Sequence, residues 1–111
     1  MLAPEISADQ FVALRNSSGT NSSPILLDVR EPWELVTASL SGAIAIPMGE
    51  MTSRAHAELD PDRHIVVLCH HGARSLSVTM WLRSQGFEQV QSLSGGIDHW
   101  SRAIDPTIPL Y

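Results

Sequence analysis

The 111-residue chain contains no lysine, a single cysteine and only 5% aromatic residues. Without lysine, seven arginines are its basic side chains, set against twelve carboxylates for a formal net charge of −5. They are scattered at Arg15, Arg30, Arg54, Arg63, Arg74, Arg83 and Arg102. An acidic chain with dispersed arginines has no footprint for nucleic acid and none for an anionic membrane surface. One cysteine, Cys69, rules out an internal disulfide and a four-cysteine zinc site. No apolar run approaches the ~18 residues that a membrane span needs. The opening MLAPEISADQF has neither the basic nor the apolar region of a secretion signal, so a cytoplasmic location is expected. The Asn-x-Ser triplets at Asn16 and Asn21 are accordingly chance matches to a glycosylation acceptor.

What is present is ordinary globular composition, 43% hydrophobic and 17% charged. The length suits one domain, expected to span residues 1–111, that buries roughly two-thirds of its unfolded surface without a disulfide. Ser7 followed by Gln10 predicts a capping box and a short helix over residues 8–16. A polar loop, 16–23, follows. Strands are expected at 25–29, 43–46, 64–68 and 89–93. Helices are expected at 32–36, 49–59, 75–85 and 97–103, with Gly86 at the C′ position of the third. The tail from Asp105 reads as extended. Strands alternating with helices over short connections predict a mostly parallel sheet with helices on both faces, its site at the carboxyl ends of the strands.

Cys69 falls at the end of the most apolar strand, followed by His70, His71, Gly72, Ala73, Arg74, Ser75 and a helix. A loop between a strand end and a helix N-terminus turns backbone N–H groups inward, and the helix dipole adds positive potential. Gly72 permits a positive φ in so tight a turn. Arg74 is expected to add a charge and a planar donor fork. The result is an anion cradle with a thiol at its base, which favours the nucleophilic thiolate and recruits an anionic substrate. His70 and His71 read as metal ligands, acid–base groups, donors to substrate or solvent-facing loop residues. No metal site is expected, because Cys69 and the two histidines, consecutive residues of a tight loop, do not converge on one ion and no second ligand pair is suitably spaced. Asp28, Arg30 and Glu31 end the first predicted strand, where an Asp–Arg pair is expected to hold the strand end. Trp33, Trp81 and Trp100 read as core or rim packing, and Gly95-Gly96 as a tight turn.

The chain resembles the single-domain rhodaneses. LLDVREPWE at 26–34 and SGAIAIP at 41–47 resemble the family's first signature and its continuation. CHHGARS at 69–75 resembles its active-site loop, and GF at 86–87 with LSGGIDHW at 93–100 its closing signature. One departure is Ala38-Ser39, where the family usually has Gly-His. The resemblance implies a three-layer α/β fold with a sheet of about four or five strands. It implies a sulfurtransferase of the thiosulfate type with Cys69 as nucleophile, residues 70–74 as loop donors and Arg74 closing the loop. Asp28 and Arg30 match positions that are usually structural. No cofactor is implied; the partners would be a small anionic sulfur donor, a thiophilic acceptor such as cyanide or a thiol, or a sulfur-donor or sulfur-acceptor protein. Three rivals stay open. A cysteine phosphatase has a similar cradle with five residues between Cys and Arg, where this chain has four. A binding module would not turn over, and a sulfur carrier would be loaded by a partner protein.

Overall fold

In the computed structural model, which describes residues 2–17 and 23–111, apolar β-branched runs form the centre of a five-stranded sheet. The strands are β1 (Glu5–Ile6), β2 (Ile25–Asp28), β3 (Ile44–Ala45), β4 (Ile65–Leu68) and β5 (Val90–Leu93). Their order is β1-β5-β4-β2-β3 and every pairing is parallel. Ile65–Leu68 is buried throughout, as a strand flanked on both sides and covered on both faces must be.

The period-two alternation of β4 sorts its side chains into two cores. Ile65, Val67 and Cys69 face Met51 and Ala55 of α3 (Met51–Glu58) and Val78 and Leu82 of α4 (Ala73–Ser84). Val66 and Leu68 face Phe11 of α1 (Ala8–Ser17) and Ile97 and Trp100 of α5 (Gly96–Ala103). Three layers result. Full burial of an aliphatic side chain such as Leu82 contributes about 1.5–3 kcal/mol before entropy is charged against it.

The capping box at α1 forms: the Gln10 N–H donates to Ser7 Oγ at 3.1 Å, and the Ser7 N–H to Gln10 Oε1 at 3.0 Å. The predicted helix at 49–59 is a 3₁₀ turn, Met48–Glu50, running into α3. Gly86 takes φ 95°, as a C′ glycine does. Most of the polar loop at 16–23, with Asn21, lies outside the described residues.

Three elements differ from expectation. β1 was not expected; its two residues carry no periodicity and are strand only because Glu5 and Ile6 pair with Ser92 and Leu93. α4 begins at Ala73, two residues early, so Ala73, Arg74 and Ser75 form a helical turn behind Gly72. The tail turns at Asp105, where the Ile108 N–H donates to the Asp105 carbonyl, and Ile108 and Tyr111 return to the α1/α5 core.

Connections leave β2 toward β3 and β4 toward β5, in opposite directions across the sheet. β2 and β4 are neighbours, so the carboxyl ends of these two strands flank a switch point, where open parallel sheets leave a crevice. Asp28 ends one of these strands, and Cys69 follows the other. α2 (Pro32–Thr37) and α4 begin on the two sides of that crevice.

Candidate active site

Cys69 continues β4 by one residue and is 1% exposed. Its Sγ accepts the N–H of Gly72 at 3.0 Å and that of Ser75 at 3.3 Å. The thiol donates to Ser75 Oγ at 3.3 Å. Gly72 reaches this position with φ 114°, open to glycine and strained for other residues. Ser75 Oγ also lies 3.1 Å from the Gly72 carbonyl and 2.7 Å from Ser92 Oγ on β5. Ser75 and Ser92 are both fully buried, so the two hydroxyls satisfy one another beneath the sulfur.

The loop is held from below by α5. The Ile97 N–H donates to the Cys69 carbonyl at 2.9 Å, and the Asp98 N–H to the His70 carbonyl at 3.0 Å. These are orphan donors of a helix N-terminus, satisfied by the loop. The approach demands glycine: a Cβ on Gly96 would stand 2.4 Å from the His70 oxygen and 2.5 Å from that of Cys69. Gly95-Gly96 is therefore the seat of the Cys69 loop as well as the turn the sequence suggested.

Arg74 does not offer its fork to the cradle. Its two terminal nitrogens bond the carboxylate of Glu34 at 2.6 and 2.8 Å, joining α4 to α2 across the switch point. Glu34 is buried and its carboxylate accepts two further donors beside the Arg74 pair: the Glu31 N–H at 3.0 Å in a capping box, and the Tyr111 hydroxyl at 2.7 Å. Bonding to Arg74, foremost, holds its carboxyl down at about 2 against the usual 4.5.

Asp28 and Arg30 are both fully buried. Arg30 Nε and Nη2 bond the Asp28 carboxylate, with the shortest contact at 2.6 Å. Nη2 also donates to the Ala38 carbonyl at 2.8 Å and Nη1 to the Tyr111 hydroxyl at 2.9 Å. The pair is fully bonded, which is what makes burial of an ion pair tolerable.

His70 is half-buried and His71 exposed. The His70 ring stacks on Tyr111, centroids 3.9 Å apart and 4° from parallel, and lies 3.8 Å from the His71 ring. Burial, then the neighbouring His71, push the His70 imidazole below its ordinary value and favour the neutral ring. Asp98, ion-paired with Arg102 at 3.1 Å, lies beside both histidines. His56 packs on Phe87 and Trp81, His64 bonds Gln91 at 2.9 Å, and His99 is exposed on α5. Trp100 is core, Trp81 half-buried, and Trp33 a rim residue, 64% exposed, edge-on to Tyr111.

Glu34, Ser92, Asp98 and Tyr111 were missed as site residues by sequence reasoning. The spacing Glu31-x-x-Glu34 after Arg30 carried a capping signal for Glu34. The other three had none, because parallel pairing and the returning tail bring them in from elsewhere in the chain.

The rhodanese-like domain family model matches residues 7–103. The chain is 43% identical over 89 residues to rhodanese-like/PpiC domain-containing protein 12 of Arabidopsis thaliana, covering 78% of this chain but only 30% of that protein. It is 30% identical over 95 residues to the thiosulfate sulfurtransferase GlpE of Stutzerimonas stutzeri, covering 86% and 82%. The crystal structure of a rhodanese-related protein from Thermoplasma volcanium superposes with a TM-score of 0.81 at 28% identity, covering 98% of this chain and all of that one. No helix among the described residues is long and apolar enough to cross a membrane.

Proposed function

The chain belongs to the rhodanese-like domain family, which includes sulfurtransferases, and on that premise we propose that it transfers a sulfane sulfur through a persulfide on Cys69. The observation that carries this reading is the buried Sγ that accepts two backbone N–H groups and donates to the Ser75 hydroxyl. In the first half-reaction the Cys69 thiolate attacks the outer sulfur of a donor such as thiosulfate. A bond forms between Sγ and that sulfur, the donor's S–S bond breaks, and its electron pair leaves on sulfite. In the second, cyanide or a thiolate attacks the terminal sulfur, the bond to Sγ breaks, and the pair returns to Cys69. This is covalent catalysis in two displacements.

The chain's own groups serve both halves. Gly72 and Ser75 N–H groups and the N-terminus of α4 stabilise negative charge on sulfur. When Cys69 ionises it no longer donates to Ser75, whose hydroxyl is then free to turn onto the sulfur while Ser92 donates to Ser75. With one cysteine in the chain, the acceptor is external.

A second reading, a carrier loaded by a partner protein's persulfide, is favoured by the arginines. Arg30 and Arg74, the cations of the two strand-end loops, are both closed by carboxylates. A dianion such as thiosulfate therefore meets backbone dipoles without a free guanidinium.

The test is intact mass after incubation with thiosulfate or a low-molecular-weight persulfide, with and without cyanide, for the wild type and Cys69→Ser. The expected result is a gain of one sulfur, removed by cyanide and absent from the variant. A gain with persulfide alone selects the carrier reading. No gain with either donor refutes sulfur transfer and leaves a binding module.

A further inference from the structure

The mouth of the Cys69 loop carries ligating atoms that sulfur transfer does not use. We infer that His70, His71 and Asp98 form a binding site for a divalent transition-metal cation of the zinc class. One nitrogen of each imidazole and one carboxylate oxygen of Asp98 all lie within 4.8 Å of one another. Metal–ligand bonds of about 2.0–2.1 Å place tetrahedral ligands somewhat closer than that, and rotation of the exposed His71 side chain closes the set. Two imidazoles and a carboxylate suit zinc, cobalt, nickel or copper, and leave a coordination position for water or an anion.

Two of the three ligands, His70 and Asp98, are organised before any cation arrives. The hydrogen bond from the Asp98 N–H to the His70 carbonyl draws the start of α5 to the loop. Stacking on Tyr111 fixes the plane of the His70 ring. Arg102 orients Asp98 through Oδ2 at 3.1 Å. A second observation points to a ligand: His70 Nε2 is buried without a hydrogen-bond partner among the described residues. An imidazole nitrogen in that condition carries a desolvation penalty that a bound group would relieve. The sequence shows no suitably spaced further ligand and no metal site is expected from it; the fold brings Asp98 to the two histidines. The set is distinct from the sulfur cradle, and the cation site stands or falls independently of sulfur transfer.

Cobalt(II), titrated into Cys69→Ser so that no thiolate is on offer, is expected to bind one equivalent with visible ligand-field bands that zinc displaces. Asp98→Asn and His71→Ala, made in that same background, are expected to weaken binding more than about tenfold and to leave the far-ultraviolet circular dichroism unchanged. Equal binding in all three proteins overturns the site, as does the absence of saturable binding. So does binding that exists only with Cys69 and brings a thiolate charge-transfer band, because the cation would then sit on the sulfur.

Discussion

Replacing Glu34 by Gln removes the charge that joins α2 to α4 and keeps the side chain's size. The folded protein holds this carboxyl at about 2, against the usual 4.5. That depression of about 2.5 units, at ~1.4 kcal/mol per unit, is worth about 3 kcal/mol at neutral pH. The figure agrees with the low end of the 3–5 kcal/mol cost of breaking a buried pair. The low end is appropriate because the Arg74 side chain is 34% exposed and rehydrates when its partner is lost. At this chain length the loss lowers the melting temperature by roughly 10 °C.

The sign in pH follows from the direction of the shift. A carboxyl depressed in the folded state stabilises fully above its unfolded value of 4.5, and that stability is lost as pH falls toward 2. Urea unfolding of the wild type and Glu34→Gln should therefore differ by about 3 kcal/mol at pH 7 and by less than half of that at pH 3. A gap that stays constant down to pH 3 would refute the electrostatic account. So would a variant within about 0.5 kcal/mol of wild type at pH 7, the usual reach of an indifferent surface change.

Gly96→Ala places a Cβ against the carbonyls of Cys69 and His70 at a φ of 60°. A loss of more than about 2 kcal/mol in urea unfolding is expected, with persulfide formation by intact mass abolished; wild-type behaviour would deny the loop its seat on α5. Ser92→Ala leaves Ser75 Oγ with the Gly72 carbonyl and the Cys69 thiol and should cost about 1 kcal/mol, while slowing the gain of sulfur mass on Cys69. An unchanged rate would remove Ser92 from the proposed relay. Tyr111→Phe keeps the ring on His70 and deletes the hydroxyl between Arg30 and Glu34, so a loss of about 1–2 kcal/mol is expected. Tyr111→Ala should lose more in the same urea assay, and equal losses would show that the stack on His70 contributes nothing.

Local signals in the chain were legible because their physics is local. Ser7 and Gln10 cap α1, Pro32 opens α2, Gly86 closes α4, and the run after His64 could only be a doubly covered strand. The thiol loop was legible for the same reason, since Cys69, Gly72 and Ser75 act through a strand end and the helix turn that follows it. Long-range partners were not. The role of Arg74 depended on Glu34 in α2, forty residues earlier in the chain, and a fork free in sequence is occupied in the fold. Ser92 and Asp98 arrive through β5 and α5, and Tyr111 through a tail whose prolines suggested only extension. β1 lies at the extreme of this difficulty: a two-residue strand exists by pairing alone.

The grip of α5 on the Cys69 loop has one more consequence. The carbonyls of Cys69, His70 and Gly72 are each taken by an N–H group on α5 or α4. A peptide unit so tethered cannot rotate its oxygen into the cavity without breaking a bond to a helix. The loop therefore acts as a rectifier of backbone polarity: three of its carbonyls are held on helix N–H groups, while the Gly72 and Ser75 amides present hydrogen to the sulfur. Negative charge on the sulfur meets the hydrogen end of those two amide dipoles.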